Sequence, residues 1–209
     1  MFITFEGLDS SGKTTQAILL AKQLEQTGKQ VVFLREPGGT VISEKVREIL
    51  LDTKYHAMSM KAELFLFSAA RTQLITEVIQ PALREGKVVI CDRFFDSTTA
   101  YQGYGRGLDL AEIHAINRIS TDGTTPDLTL FIDVTMDELI QRKIRAGIKA
   151  DRMESSGSEF YEKVRKGYLT LAGELPQRII PIDGNKSTEV VHEHIWQIVS
   201  SRFSFKAEK

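Results

Sequence analysis

The sequence contains very little cysteine, no excess of charge of either sign and no long apolar run. Cys91 is the single cysteine among 209 residues, which excludes a disulfide framework and suits a reducing compartment such as the cytoplasm. With 27 basic and 28 acidic residues the net charge is −1, so no overall field favours nucleic acid or a membrane surface. Apolar runs fall short of membrane-spanning length, and the first residues lack the basic start and cleavage site of a signal peptide. Any anion site must therefore be built from local groups.

Short apolar runs rich in β-branched residues alternate along the chain with segments of helical periodicity. The runs predict strands over residues 1–5, 30–34, 87–90, 128–133 and 178–183. Helical spacing is found over residues 15–26, 41–50, 61–83, 111–120 and 188–203. In a chain long enough for one sizeable domain, this alternation predicts a three-layer α/β/α fold, with helices on both faces of a five-stranded parallel sheet. Pro181 has no N–H to donate, so the fifth strand is expected at an edge, and Cys91 is expected to be buried.

The first predicted strand leads into a glycine-rich segment that matches the phosphate-binding pattern G-x-x-x-x-G-K-T. The match stands between a strand and the start of a helix, which is the setting that the pattern requires and is typical of phosphate-loop NTPases. The glycines let the backbone curl so that N–H groups point at phosphate oxygens. Lys13 supplies a cation to the outer phosphates, and the Thr14 hydroxyl suits a magnesium ion. We expect nucleotide phosphates to be bound by Gly7, Leu8, Asp9, Ser10, Ser11, Gly12, Lys13, Thr14 and Thr15.

Polar residues follow each predicted strand, and in a parallel sheet these positions meet at one edge. Asp92 follows three apolar residues, the context of a carboxylate that holds magnesium; an ordinary strand-terminating aspartate is the alternative. Arg93 either pairs with that carboxylate or binds a second phosphate group. Asp9 is unusual, because a carboxylate ~4 Å from a phosphate charge costs about 4 kcal/mol at an effective dielectric constant of about 20. We expect Asp9 to face an acceptor hydroxyl or magnesium, and the candidate metal ligands are Thr14, Asp92 and Asp9.

Six motifs, in order along the chain, resemble those of the thymidylate kinases, a family within the nucleoside monophosphate kinases. They are F-E-G-L-D-S-S-G-K-T-T-Q at 5–16, R-E-P-G-G-T at 35–40, L-F-S-A-A-R at 66–71, D-R-F-F-D-S-T-T-A-Y-Q-G at 92–103, D-R-M-E at 151–154 and I-D-G at 182–184. Other kinases of the group share only the first motif and part of the fourth. The resemblance implies a cytoplasmic homodimer that transfers the γ-phosphoryl group of ATP to dTMP, with Mg²⁺ as cofactor.

The resemblance also implies where dTMP binds. Phe67 matches the phenylalanine that stacks on thymine and Arg71 the arginine that hydrogen-bonds its carbonyl edge, and their i, i+4 spacing puts both on one helix face. Core packing is the alternative for Phe67. Tyr101 matches a tyrosine associated with exclusion of a ribose 2′-hydroxyl. The implied acceptor-binding residues are Asp9, Glu36, Arg47, Phe67, Arg71, Arg93, Ser97, Tyr101 and Gln102.

The basic stretch that begins at residue 141 resembles the family's lid, a segment of about residues 141–157; a solvated helix face is the alternative. Some family members carry an arginine in the phosphate loop, but this chain has serine at positions 10 and 11, so the lid is expected to supply that cation. Arg152, in the Asp151-Arg152 pair, is the leading candidate. The expected catalytic residues are Lys13, Arg93, Arg142, Arg145 and Arg152. The small polar run at 155–158 leaves the length of the lid open.

Two other functions agree with these residues. A kinase for another nucleoside monophosphate, dUMP or CMP, differs little, because one methyl group on the base is worth only about 1–3 kcal/mol. A phosphate-loop protein that binds a nucleotide to regulate a partner is the other alternative. A GTP-hydrolysing switch is excluded, because the guanine-reading N-K-x-D pattern is missing and residues 184–187 read G-N-K-S.

Overall fold

The computed structural model describes residues 1–147, 152–153 and 157–204 of the chain. Its sheet has the strand order β2-β3-β1-β4-β5, and every neighbouring pair is parallel. The strands are β1 (Phe2–Glu6), β2 (Val31–Arg35), β3 (Val88–Asp92), β4 (Leu128–Asp133) and β5 (Ile179–Asp183). The predicted five-stranded parallel sheet is confirmed. Pro181 lies on the edge strand β5, where the missing N–H breaks no central ladder.

Helices cover both faces of this sheet. They are α1 (Lys13–Gln26), α2 (Val41–Leu51), α3 (Met60–Leu74), α4 (Gln80–Arg84), α5 (Phe95–Thr98), α6 (Leu110–Ser120), α7 (Met136–Ala146), α8 (Ser158–Glu174) and α9 (Thr188–Arg202). A 3₁₀ turn spans Thr53–Tyr55, and π-helical turns span Ile75–Ile79 and Thr99–Gly105. Within the part of the chain that the structure describes, no helix is long and apolar enough to cross a membrane.

The side chains of the central strands alternate between two apolar clusters. Ile3 and Phe5 of β1 pack in a cluster with Leu20 of α1. Phe2 and Cys91 belong to a second cluster, and both are almost completely buried. Because successive strand residues point to opposite faces, this division places apolar material on both sides of the sheet. Cys91 is a buried side chain, as predicted.

Polar side chains fix where several helices begin. The Thr40 hydroxyl accepts a hydrogen bond from the Ser43 N–H at 3.1 Å at the start of α2. Asp109 accepts from the Glu112 N–H at 3.0 Å in the same way at α6. Such caps satisfy N–H groups that have no partner inside the helix.

The helix predictions were incomplete in two places. The predicted helix over 61–83 is divided into α3, a π-helical turn and α4, whose second residue is Pro81, a residue that cannot continue the hydrogen-bond ladder. Helix α8 was not predicted, although its buried Phe160, Val164 and Tyr168 recur every four residues. The charged residues between these positions conceal the pattern.

Strand β1 lies at the centre of the sheet, between β3 and β4. The segment between β1 and α1 therefore emerges at the middle of the carboxyl edge, the place where doubly wound sheets bind ligands.

Candidate active site

The glycine-rich segment leaves β1 and curls back into α1. Gly7 and Gly12 have φ angles of 142° and 95°, and Ser10 has a φ of 67°. A Cβ at Gly7 would lie 2.6 Å from the Ile132 carbonyl oxygen on β4, so this position requires glycine. The strand, the curled loop and the helix start that the pattern predicts are all present.

Lys13 begins α1 and is almost completely buried beside the loop. Its Nζ donates to the Leu8 carbonyl oxygen at 3.3 Å and lies 3.8 Å from Asp9 Oδ1. Burial and the nearby charge of Arg93 lower the pKa of Lys13, although the Asp9 carboxylate opposes them. The ammonium group is thus held against the loop by two oxygen atoms.

Thr14 and Asp92 bring oxygen atoms together next to Lys13. The Thr14 hydroxyl donates to Asp92 Oδ2, and the buried Asp92 Oδ1 has no hydrogen-bond partner among the described residues. Those residues contain no group of three or more His, Cys, Asp and Glu side chains that could hold a metal ion. One carboxylate and one hydroxyl suit Mg²⁺, which keeps several waters and is completed by substrate phosphates. Thr14 and Asp92 therefore fit the expected ion.

Asp9 is paired with the cationic side chains of Arg93 and Lys13. Arg93 Nη2 donates to Asp9 Oδ1 at 2.6 Å, and the Tyr101 hydroxyl donates to Oδ2 at 3.3 Å. Burial alone would raise the pKa of Asp9, but the charges of Arg93 and Lys13 outweigh it and hold that pKa well below its usual value. The sequence could not show this pairing, because β3 brings Arg93 across from 84 positions away.

Arg93 sits directly after β3 with its side chain directed by several partners. Its φ of 73° is unusual for a non-glycine residue, and its N–H donates to the Phe5 carbonyl oxygen at 2.9 Å. Nη1 donates to the Ser97 hydroxyl at 3.2 Å, and the guanidinium carbon lies 5.1 Å from the centre of the Tyr101 ring. Protein contacts alone therefore fix the position of the guanidinium.

The buried Glu6 holds the backbone that follows Arg93, a role that the sequence analysis missed. Glu6 Oε1 accepts from the Phe94 N–H at 2.7 Å, and Oε2 accepts from the hydroxyls of Ser97 at 2.5 Å and Tyr168 at 2.7 Å. Burial, with the charge of Asp96, raises the pKa of Glu6 to about 7. No local pattern signals this role, since Tyr168 is 162 residues away.

One cavity opens beside the loop and is lined by residues of the loop, β2, β3 and the helices around them. It brings together twelve of the predicted site residues: Asp9, Lys13, Thr14, Glu36, Arg47, Phe67, Arg71, Asp92, Arg93, Ser97, Tyr101 and Gln102. The remaining predicted residues, which belong to the loop backbone, α1 and the lid, do not line it.

Phe67 and Arg71 lie on one face of α3 and line this cavity together. Arg71 is completely buried, and its Nη2 lies 2.5 Å from Glu36 Oε1 and donates to the Thr98 hydroxyl at 2.7 Å. Nη1 donates to Asn117 Oδ1 at 3.2 Å, while Nε has no hydrogen-bond partner among the described residues. Phe67 is only partly buried, as a ring that faces a cavity must be.

Arg47 on α2 and Gln102 in the π-helical turn Thr99–Gly105 also line the cavity. Arg47 Nη1 donates to the Pro37 carbonyl oxygen at 3.1 Å. Gln102 Nε2 donates to Glu63 Oε1 at 2.8 Å, so the orientation of its amide is fixed from behind. Glu63 is buried one helical turn before Phe67 and was not predicted as part of the site.

The lid arginines lie in three different environments. Arg142 donates from Nη1 to the Ser11 carbonyl oxygen at 2.9 Å and from Nη2 to the Gly184 carbonyl oxygen at 2.7 Å, so it touches the phosphate loop. Arg145 is exposed and donates to Glu138 at 3.0 Å. Arg152, the leading candidate from the sequence, has a side chain that is 8% exposed, and its Nη1 lies 2.7 Å from Glu63 Oε2.

Parts of the predicted lid lie outside the described residues. These are residues 148–151 and 154–156, which include Asp151 and Glu154 of the D-R-M-E motif and two serines of the small polar run. Of that motif, Arg152 and Met153 are described, and Met153 lines the cavity.

Comparisons with known proteins agree with this geometry. Residues 5–195 match the family model described as Thymidylate kinase. A thymidylate kinase of Pelotomaculum thermopropionicum is 50% identical over 191 residues, which cover 91% of this chain and 88% of that protein. One from Kosmotoga olearia is 49% identical over 195 residues, which cover 93% of each. The crystal structure of thymidylate kinase from Ehrlichia chaffeensis is similar with a TM-score of 0.79 and 39% identity, over 95% of this chain and 98% of that chain. The chain therefore belongs to the thymidylate kinase family.

Proposed function

We propose that this protein transfers the γ-phosphoryl group of ATP to the 5′-phosphate of dTMP, giving dTDP and ADP for dTTP synthesis. The observation that carries the proposal is the shared cavity, which Lys13 and Thr14 of the phosphate loop line together with Phe67 and Arg71. Phosphoryl transfer depends on aligning donor and acceptor in one site, with cations around the transferring group. Membership of the family supports the same reaction.

The residues of the chain align the two nucleotides and offset charge. The acceptor phosphate oxygen is already a nucleophile, so no covalent enzyme intermediate is required. The loop from Gly7 to Thr15 holds the donor phosphates through its curled backbone and Lys13. Arg93, which Asp9 holds at 2.6 Å and which lines the cavity, offers its positive charge to the acceptor phosphate, with Arg47 as a second cation.

The lid arginines are proposed to meet the charge that develops on the transferring group. Arg142 is the strongest of the three, because it contacts the loop at the Ser11 carbonyl oxygen. Arg145 contacts Glu138 and Arg152 contacts Glu63, so either could reach the transferring group only after a movement of the lid.

The base and sugar are proposed to occupy the other end of the cavity. Phe67 stacks on the base, and Arg71, which Glu36 holds at 2.5 Å, donates to a carbonyl on its edge. Tyr101, Ser97 and Gln102 complete the wall beside the sugar and base.

Mg²⁺ is the proposed cofactor, with Thr14 and Asp92 as its protein ligands and Asp9 as the third candidate. When bound, it neutralises charge on the phosphates. Asp92 Oδ1 is buried and has no hydrogen-bond partner in the described part of the chain, which supports this assignment because such an oxygen is costly to leave unpaired. We also propose one domain with a lid at about residues 141–157, and a homodimer in the cytoplasm without nucleic-acid or membrane partners. Light scattering on the purified protein tests the dimer, and a monomeric mass would contradict it.

A coupled assay of ADP release tests the function directly, with dTMP, dUMP and CMP offered separately at equal concentration. We expect rapid ADP release with dTMP, slower release with dUMP and little with CMP. Preference for dUMP or CMP would assign the protein to another kinase of the group. No release with any of the three, together with tight ATP binding, would favour the regulatory alternative.

A further inference from the structure

Glu63 is a buried carboxylate that does not line the cavity but joins three segments around it. Its Oε1 accepts from Gln102 Nε2 at 2.8 Å and from Arg106 Nε at 3.2 Å. Its Oε2 accepts from Arg106 Nη2 at 3.2 Å and lies 2.7 Å from Arg152 Nη1. Helix α3, the turn Thr99–Gly105 with the residue after it, and the lid thus meet at one carboxylate.

The carboxylate holds two guanidinium groups that would otherwise repel each other. The side chains of Arg106 and Arg152 are only 18% and 8% exposed, so water screens their charges poorly. Burial alone would raise the pKa of Glu63, but hydrogen bonds from Arg106 and Gln102 outweigh it and lower that pKa, which keeps the group ionised. A neutral side chain at this position would leave two largely desolvated cations without their shared anion.

Arg152 in turn fixes the lid residue that lines the cavity. Its Nε donates to the Leu50 carbonyl oxygen at 2.6 Å, and its backbone N–H donates to the Leu51 carbonyl oxygen at 3.3 Å. The neighbouring Met153 is almost completely buried and lines the cavity together with Leu51 and Phe67. The ion pair at Glu63 therefore docks an apolar lid side chain onto the cavity wall.

We infer that Glu63 is a positioning residue for the nucleoside monophosphate, acting directly through Gln102 and indirectly through Arg152 and Met153. The inference rests on the proposed function, because it assigns this end of the cavity to the acceptor. Since the donor loop makes none of these contacts, the loss of Glu63 should weaken acceptor binding and leave ATP binding intact.

Steady-state kinetics of Glu63→Gln test this, because the substitution keeps the size of the side chain and removes its charge. We expect the KM for dTMP to rise on the order of tenfold, with kcat and the KM for ATP changed by less than about twofold. Glu112→Gln is the matched control, since Glu112 is an exposed glutamate paired with Lys61 at 3.6 Å and should leave both KM values unchanged. An unchanged KM for dTMP in Glu63→Gln, or an equal rise in both KM values, would overturn the inference.

Arg152→Gln provides a second variant that leaves α3 and Gln102 intact, so it decides the question if Glu63→Gln does not fold. It should also raise the KM for dTMP and spare the KM for ATP, and the double variant should show less than the product of the two single effects, because they share one contact. If Arg152→Gln lowered only kcat, or if the rise in the KM for dTMP in the double variant equalled the product of the two single rises, Glu63 would not act through Arg152. If the unmodified protein neither binds nor phosphorylates dTMP, the proposed function fails; if it does both and the variants match it, only this inference fails.

Discussion

The buried pair of Arg71 and Glu36 allows substrate binding and protein stability to be separated by experiment. The two side chains are 1% and 2% exposed, with Nη2 and Oε1 2.5 Å apart. Arg71→Met keeps most of the side-chain volume, so it creates little cavity, but it leaves the Glu36 carboxylate buried without its cation. It also removes hydrogen bonds to Thr98 and Asn117.

The expected loss of stability is large. Breaking a buried ion pair by removal of one partner typically costs about 3–5 kcal/mol. For a chain of this size, 1 kcal/mol corresponds to about 2–4 °C in Tm, so a fall of about 6–20 °C is expected. The loss of a charged donor to the base should add a rise in the KM for dTMP of about tenfold to a hundredfold, from about 1.5–3 kcal/mol.

The double variant Glu36→Leu with Arg71→Met distinguishes the two effects. Replacing both members of a buried pair by apolar side chains is often close to neutral, so urea unfolding should show most of the lost stability restored. The KM for dTMP should stay raised, because the proposed donor to the base is still missing.

Two results would refute this reasoning. A loss of less than about 1 kcal/mol in Arg71→Met would show that the pair contributes no more than an exposed one. Recovery of the KM for dTMP in the double variant, together with the stability, would show that Arg71 supports the fold and does not contact the base.

Three further predictions concern the donor side and the core. Lys13→Ala should nearly abolish turnover but keep dTMP affinity in calorimetric titration, because other cations are proposed to bind the acceptor. If dTMP affinity fell as much as turnover, the assignment of the donor and acceptor sides of the site would be wrong. At least one of Arg142, Arg145 and Arg152, replaced singly by Ala, should lower kcat by a factor on the order of 10²–10⁵, with the largest loss at Arg142, which touches the loop. If all three keep kcat within a few-fold, no lid arginine is catalytic. Because burial raises the pKa of Glu6 from 4.5 to about 7, the folded state holds the extra proton, and stability should fall as pH rises through that window. Urea unfolding below and above this pH window measures the fall, and Glu6→Gln should reduce the dependence of the unfolding free energy on pH. An unchanged pH dependence in this variant would contradict the raised pKa of Glu6.

The strands and the phosphate loop could be predicted because their signals are local. The run Leu128–Asp133 has the same bounds in prediction and structure, since an apolar β-branched run between turn residues has few alternatives. The loop pattern fixes a backbone conformation, which Gly7 and Gly12 adopt at positive φ. The type and order of the predicted elements therefore followed from the sequence, while helix α8 and the division of the helix at 61–83 were missed.

The contacts that position the site could not be predicted, because they join distant parts of the chain. Glu6 meets Tyr168 across 162 residues, and Arg71 meets Asn117 across 46. A buried carboxylate reveals its role only when the fold shows which donors surround it. Arg152 illustrates the same limit, since a lid motif names the residue but does not show that Glu63 holds it in this conformation.

The near-zero net charge of the chain conceals a local arrangement that suits anionic substrates. Around the cavity, arginines are paired with carboxylates: Arg71 with Glu36, Arg93 with Asp9 and Arg152 with Glu63. A buried guanidinium needs such a partner to offset its desolvation, and the partner also fixes its position. Arg71 and Arg93 line the cavity, while Arg152 holds the neighbouring Met153 against it. Removing one of these carboxylates would not free a cation for phosphate or base, because the guanidinium would lose the contact that aims it. Acceptor affinity should therefore fall when negative charge is removed from this site, although the substrate is itself an anion.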